Sequence, residues 1–522
     1  MTISRRRFVG NAAKLSASLV AAGLPSSSLF ARGRYDVVNH KLLPSEKEVW
    51  EGVEFMNGLG VRFSGSSAHQ KYVAYVEDHF KSFGMDLDQI PHTSLVRWDL
   101  RQCSLKIASG SQAGKDVPIS SYCRYTKTTG SDGATGELVY CGKAEGGPSL
   151  IEVILGISRS IEKASPRTMP TIPADLQGKI ALVEVVAEPL PYGALWKDHI
   201  RGVYNSEGNS DFPAVQKTAP AYGAAALPMS FNADLAKAGT IGVIYAWSNL
   251  ADDDAAGQMK VGSSAISEVW VGQTAGRELR ALADSGGTVT LTVEADTVPN
   301  VPTHTTLATL AGTSADEVIL LWTHTDGNNA IEENGGIAIL NLMKYFSRLP
   351  QSARKRTIAC VLSEAHFNEE YIPRSAWLKE RPDLVHKAVA EVSIEHLGCG
   401  EWIDNPGSNS YKGTGAPELA FAFCPMDPMS DVMLESVRGT KSGKTAVIDS
   451  EMNAFTPAIL FYRLSHIPFI GFICAPPYLV AEGPHGHIEK LSSSQFHEQM
   501  TAFANVIHRL DSIPKSELRT SG

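Results

Sequence analysis

Residues 320–338 read LLWTHTDGNNAIEENGGIA. An apolar run ends at Trp322, and His324 and Asp326 follow one residue apart. After a polar turn, Glu332 and Glu333 precede a pattern with helical spacing: Ile337, Leu340, Leu342, Met343, Phe346 and Leu349. A strand that leaves the interior on an imidazole, followed by a helix that opens on paired carboxylates, is a pattern worth tracing along the chain.

It recurs. The runs EVILLW (317–322), RTIACVL (356–362), AVAEVSIEHL (388–397) and IPFIGFIC (467–474) are nearly continuous in apolar residues. Such runs alternating with amphipathic helices predict an α/β fold whose sheet is covered on both faces. In open α/β sheets, sites form where loops leave the carboxyl ends of the strands. Here the first exit delivers His324, Asp326, Glu332 and Glu333. The second, SEAHFNEE, delivers Glu364, His366, Glu369 and Glu370. The third delivers Glu395 and His396, and the fourth is followed by His485 and His487. Imidazole nitrogen and carboxylate oxygen are the ligands of zinc-like ions. Water on such an ion becomes acidic enough to supply hydroxide near neutral pH. Asp326 is spaced to fix the tautomer of a ligating His324 from behind. A carboxylate within "AVAEVSIEHLG" is costly to bury without a partner or a metal, which singles out Glu395.

The chain has 522 residues, long enough for two or three domains. Charged residues make up 20% and hydrophobic ones 43%, a balance that excludes extensive disorder. A net charge of −9 and a pI near 5.9, with no basic stripe, give no expectation of nucleic-acid binding. At the N-terminus, SRRRFVG (4–10) leads into a short Ala/Ser-rich run. That is the layout of a twin-arginine export signal over residues 1–32, too short and interrupted for a membrane span. The expectation is export by the twin-arginine machinery to the periplasm or the exterior. Seven scattered cysteines contain no C-x-x-C pair, so no zinc-thiolate site is expected. Export would permit a disulfide, among which Cys103, Cys123 and Cys141 are candidates. Short β-rich runs separated by Gly, Pro and Asp mark residues 103–300 as a different texture from what flanks them.

These motifs together resemble the M28 zinc peptidases with an inserted protease-associated (PA) domain. GVRFSGSSAHQKYVAYVEDHFKSFGM is similar to that family's opening segment and its Arg-x-x-Gly-Ser turn. DLQGKIALVEV with AKAGTIGVIYA resembles a PA core, while LLWTHTDG, EENGGIAILNLM, VSIEHLG and GHIEKL resemble the peptidase's metal-binding segments. The resemblance implies a mixed central sheet flanked by helices, with a β-rich PA-like insert. It divides the chain into 33–102 (first part of the peptidase domain), 103–300 (insert) and 301–522 (main peptidase domain). It implies one or two zinc ions on His324, Glu332 (or Glu333), His366, Glu395 and His487, the last preferred to His485, with Asp326 behind His324. The bridging acid is Glu332 where the family has Asp. The family's adjacent Glu-Glu pair is replaced by SEAHFNEE, so the general base falls to Glu364 or Glu369.

The expected activity is that of an aminopeptidase-type hydrolase acting on a peptide or aminoacyl substrate. The rival is a binding protein that keeps the cleft without turnover. A serine hydrolase is disfavoured because the α/β zone contains no G-x-S-x-G elbow.

Overall fold

The computed structural model describes residues 35–145, 168–187, 189–191, 196, 198–206, 216–218, 231–256, 263–368, 372–425, 427–451, 454, 456–480 and 486–519. The twin-arginine segment, Glu369, Glu370 and His485 lie outside the described residues.

The four apolar runs form the strands Ser314–His324, Arg356–Ser363, Ala388–Glu395 and Phe469–Cys474, mutually parallel where they pair. Their carboxyl ends therefore emerge on one side. Being buried on both faces is what lets these strands dispense with polar alternation. One face packs Ile319, Leu321, Val392 and Phe472 against the helices Glu46–Gly58, Ser67–Ser82, Gly335–Ser347 and Ser493–Ser512. The other packs Leu320, Trp322 and Val361 against Trp377, Leu384 and Phe461. The protein is thus a mixed α/β fold with a large central sheet flanked by helices.

The helix Gly335–Ser347 carries the expected repeat from Ile337 to Phe346 and ends before Leu349. It begins with two glycines because the sheet lies against the first and Tyr72, from the helix Ser67–Ser82, against the second. A Cβ at Gly335 would sit 2.0 Å from the carbonyl of Ile394, on the strand that carries Glu395.

Among the described residues, fourteen strands join one sheet. Next to Arg356–Ser363 runs the 23-residue strand Thr288–Leu310, antiparallel to it. The first half of that strand pairs instead with Ala134–Ala144, and parallel strands Ile180–Val185, Gly242–Trp247 and Ser267–Val271 continue from there. A second long strand, Asp86–Ile107, pairs with Thr288–Leu310 along its length. Positions 103 and 300, the limits read from sequence texture, fall inside these two strands. Beyond Phe469–Cys474 the sheet continues through Leu419–Phe423 and Lys444–Ile448 to Ile200–Asn205, a strand from the middle of the 103–300 segment. That segment also contains the helices Phe231–Lys237 and Gln273–Asp284. Among the described residues, which include all seven cysteines, no disulfide forms, so none joins Cys103, Cys123 or Cys141.

Glu77 ties the helix Ser67–Ser82 to the long strands. Its carboxylate accepts from Gln89 Nε2 at 2.9 Å and Thr306 Oγ1 at 2.9 Å, and meets His304 Nε2 at 2.7 Å. Burial would push its pKa up, but these partners hold it below the usual glutamate value. A depressed carboxylate pKa stabilises the fold above the unfolded value and loses that contribution as pH falls through the folded one. Glu77→Gln is therefore expected to lower the stability read from urea unfolding by about 2 kcal/mol at pH 7. The gap to the wild type should begin to narrow as pH falls below the ordinary glutamate value of about 4.3 and close only below the lower pKa of folded Glu77, where its carboxyl is neutral too. A gap that stays constant from pH 7 to pH 3 would refute this account.

Candidate metal centre

His324 ends its strand wholly buried, as the run before it requires. Its Nδ1 lies 2.8 Å from the carbonyl of Asp326 and 3.2 Å from Asp326 Oδ1. Both are acceptors, so Nδ1 carries the proton and Nε2 presents a lone pair. Asp326 is itself held by Ser64 Oγ and by the backbone N–H groups of His366 and Phe367, each at 3.0 Å. Burial would raise its pKa, yet the His324 ring and these donors hold it down at about 2.

The acidic loop is organised by two asparagines. Asn329 Oδ1 accepts from the amides of Ile331 and Glu332 at 2.8 and 2.9 Å. Asn334 donates to the carbonyl of Leu397 and accepts from its amide, tying the helix start to the turn after Glu395. The Glu332–Glu333 peptide is cis. Glu332 Oε1 reaches 3.3 Å from His324 Nε2, and Glu333 Oε2 lies 3.7 Å from the same atom.

The fourth participant is His396. It adopts a left-handed backbone (φ 59°), uncommon for a residue with a side chain. Its Nδ1 is 2.8 Å from the carbonyl of Cys474, so its Nε2 also presents a lone pair. That Nε2 is 2.9 Å from Glu332 Oε2 and 3.1 Å from Glu333 Oε2.

His324, Glu332, Glu333 and His396 thus offer four ligand atoms within 4.8 Å of one another, all buried. His324 Nε2, His396 Nε2 and Glu333 Oε2 have no hydrogen-bond partner outside the cluster. Two imidazoles with lone pairs pointed at two carboxylates, in a place closed to water, fit a divalent transition ion. Without an ion the group holds protons instead. Burial would lower the pKa of both histidines, but Asp326 and Glu332 beside His324, and Glu332 and Glu333 beside His396, raise them well above the ordinary value. Burial would raise Glu332, but His396 and His324 hold it well below the usual carboxylate range.

The other residues singled out in the sequence are distributed around this cluster. His366 stacks on His324 with ring centroids 4.2 Å apart, and its Nε2 is 3.8 Å from Glu332 Oε1. Glu395 Oε1 is 3.8 Å from His324 Nε2, while its Oε2 has no hydrogen-bond partner. Burial pushes the Glu395 carboxyl up to about 7. Glu364 is engaged elsewhere: Thr305 Oγ1 donates to it at 2.7 Å and His92 Nε2 lies 3.3 Å away, with burial raising its pKa to about 7. His487 lies 3.5 Å from Glu489 and is not one of the four converging residues. The expectation from the sequence is Glu395 rather than His396, and Glu332 ahead of Glu333. The converging set contains both glutamates, and His396 rather than Glu395.

The arrangement is an α/β scaffold with a His/Glu cluster suited to a metal ion at the strand exits. Known structures share this scaffold. A zinc aminopeptidase from Bacillus subtilis superposes over 92% of this chain and 99% of its own, with a TM-score of 0.55 at 14% identity. A peptidase M28 precursor from Shewanella amazonensis covers 94% and 99%, with a TM-score of 0.58 at 15% identity. An aminopeptidase from Aneurinibacillus sp. strain AM-1 covers 92% and 96%, with a TM-score of 0.50 at 16% identity. The chain therefore has the fold of M28-type zinc aminopeptidases. No family model matches the sequence, and no curated protein does.

Because Asp326 fixes both the tautomer and the orientation of His324, Asp326→Asn is expected to weaken divalent-ion binding about 10- to 100-fold. Competition against a chelator of known affinity measures it. A dissociation constant within about twofold of the wild type would remove Asp326 from that role.

Proposed function

We propose that this protein is a metal-dependent hydrolase of aminopeptidase type, with zinc held by His324, Glu332, Glu333 and His396. The observation that carries the reading is the convergence of four buried ligand atoms within 4.8 Å at strand exits, on a scaffold shared with zinc aminopeptidases. An ion there supplies Lewis acidity towards a carbonyl and acidifies water.

The chain's own groups supply the rest. Glu395 is the carboxyl that reaches the cluster's edge without being one of its converging donors, and it has an oxygen without a partner. It takes the proton released when water adds to the peptide carbonyl and returns it to the leaving amine. His366, stacked on His324, borders the same space and serves as a further ligand if a second ion binds. Phe63 and Phe367 flank the Arg124 guanidinium from the inserted segment, at 3.6 and 4.2 Å from the ring centroids. Phe367 also meets His324 edge-on, so the insert borders the site. A PA-like role for residues 103–300 in shaping the cleft agrees with that contact. The paired arginines at the N-terminus support export by the twin-arginine route. No helix among the described residues is long and apolar enough to cross a membrane.

The test combines metal analysis with a panel of aminoacyl-anilides and dipeptides. Chelation should abolish hydrolysis and zinc should restore it. Glu395→Gln should keep its zinc while losing about 10²- to 10⁴-fold in kcat. Loss of zinc from that variant would return Glu395 to the ligand set. Stoichiometric zinc with no turnover on any substrate would favour a binding protein instead.

A further inference from the structure

Arg62 lies in the segment before the helix Ser67–Ser82, far in sequence from the acidic loop, and is wholly buried. A buried guanidinium ordinarily has a carboxylate partner. Arg62 has carbonyls instead. Its Nη1 donates to Met56 O at 3.2 Å and Gly60 O at 3.0 Å, and its Nη2 donates to Asn329 O at 2.8 Å and Glu332 O at 3.0 Å. The last two acceptors bracket the loop that turns into the acidic pair. The Arg62 backbone is fastened to the same loop: its amide donates to Gly327 O at 2.7 Å, and its carbonyl accepts from the Gly327 amide at 3.1 Å. That loop is drawn so tight that a Cβ at Gly327 would sit 1.7 Å from Glu332 O.

Charge explains why a cation is tolerated there. Asp326, Glu332 and Glu333 are all buried, and the Arg62 charge acts on each of them through the interior. A divalent ion at the cluster cannot offset three carboxylates alone, and Arg62 brings the buried charges closer to balance. The planar fork, with two donors on either side, suits the task of holding two carbonyls where the helix Glu46–Gly58 ends and two of the acidic loop.

We propose that Arg62 is the positioning residue of the metal centre: it fixes the Gly327–Glu333 loop so that Glu332 and Glu333 converge on His324 and His396 before any ion binds. The consequence for metal affinity rests on the proposed metal site. The effect on the loop does not.

The experiment uses the full chain with Arg62→Lys and Arg62→Met. Hydrogen exchange is measured on the metal-free proteins, and zinc affinity by chelator competition. Amides of residues 327–335 should exchange about tenfold faster or more in Arg62→Met, while those of the strand Ala388–Glu395 stay protected. The zinc dissociation constant should rise about tenfold or more in Arg62→Met, with Arg62→Lys in between because it keeps the charge and loses the fork. Arg62→Lys is the milder arm should Arg62→Met not fold. A uniform loss of protection across the chain would mark a merely structural role and overturn the proposal. So would unchanged loop exchange, or tighter zinc binding in Arg62→Met, the result expected from losing a repulsive charge alone. A wild type that binds no zinc would defeat the proposed function, and the exchange comparison would still decide the role of Arg62.

Discussion

Everything around this site follows from the difficulty of burying like charge. Glu332, Glu333 and Asp326 lie together where water does not reach, and three ionised carboxylates so placed would repel one another strongly at low dielectric. The structure answers with groups that supply positive charge or hydrogen-bond donors. Two imidazoles face the glutamates, four donors surround Asp326, and Arg62 lies behind the loop. The histidines have their outer nitrogens committed to carbonyls, so their inner nitrogens turn towards the carboxylates. Remove the acids and none of these costly arrangements has a reason to exist. That dependence is the physical case for reading the cluster as a cation site rather than as an incidental polar core.

The sheet makes the cluster possible by delivering its parts to one place. Parallel strands put all their carboxyl ends on the same side, so residues distant in sequence meet without long excursions of the chain. His324 and His396 leave neighbouring strands, and the acidic pair is held near them by a helix whose first glycine, Gly335, allows it close to the sheet. The long strands Asp86–Ile107 and Thr288–Leu310 then extend the sheet towards the 103–300 segment. This is how Arg124, from that segment, comes to lie between Phe63 and Phe367 at the edge of the site.

The parts of this picture that depend on periodicity could be read from the sequence. The runs at 317–322, 356–362, 388–397 and 467–474 could be little else than buried strands, and His324-x-Asp326 at a strand exit carries its chemistry in its spacing. What the sequence concealed depends on backbone direction. Whether Glu395 or His396 enters the cluster turns on the left-handed conformation of His396, and nothing in "IEHLG" announces it. Arg62 was visible only as part of a turn motif, because its acceptors are carbonyls, which every residue possesses. Ile200–Asn205 was illegible for a third reason. Its burial is intermediate, so it lacks the apolar signature of the central strands.

The substitution of glutamate for the aspartate expected from the M28 resemblance can now be given a physical sense. A glutamate carries its carboxyl one methylene farther from the backbone, so an acid that reaches the same point must start from a loop set farther back. Here the loop is pinned, with Asn329 and Arg62 fixing its backbone and Gly327 allowing the tight return. The neighbouring Glu333 then reaches the cluster as well, and His396 completes it from the strand that also carries Glu395. A longer arm has more rotamers to lose, which makes the rigidity of its anchor matter more than it would for aspartate. The buried guanidinium supplies such an anchor, because it holds the backbone of the loop from which Glu332 and Glu333 reach the cluster.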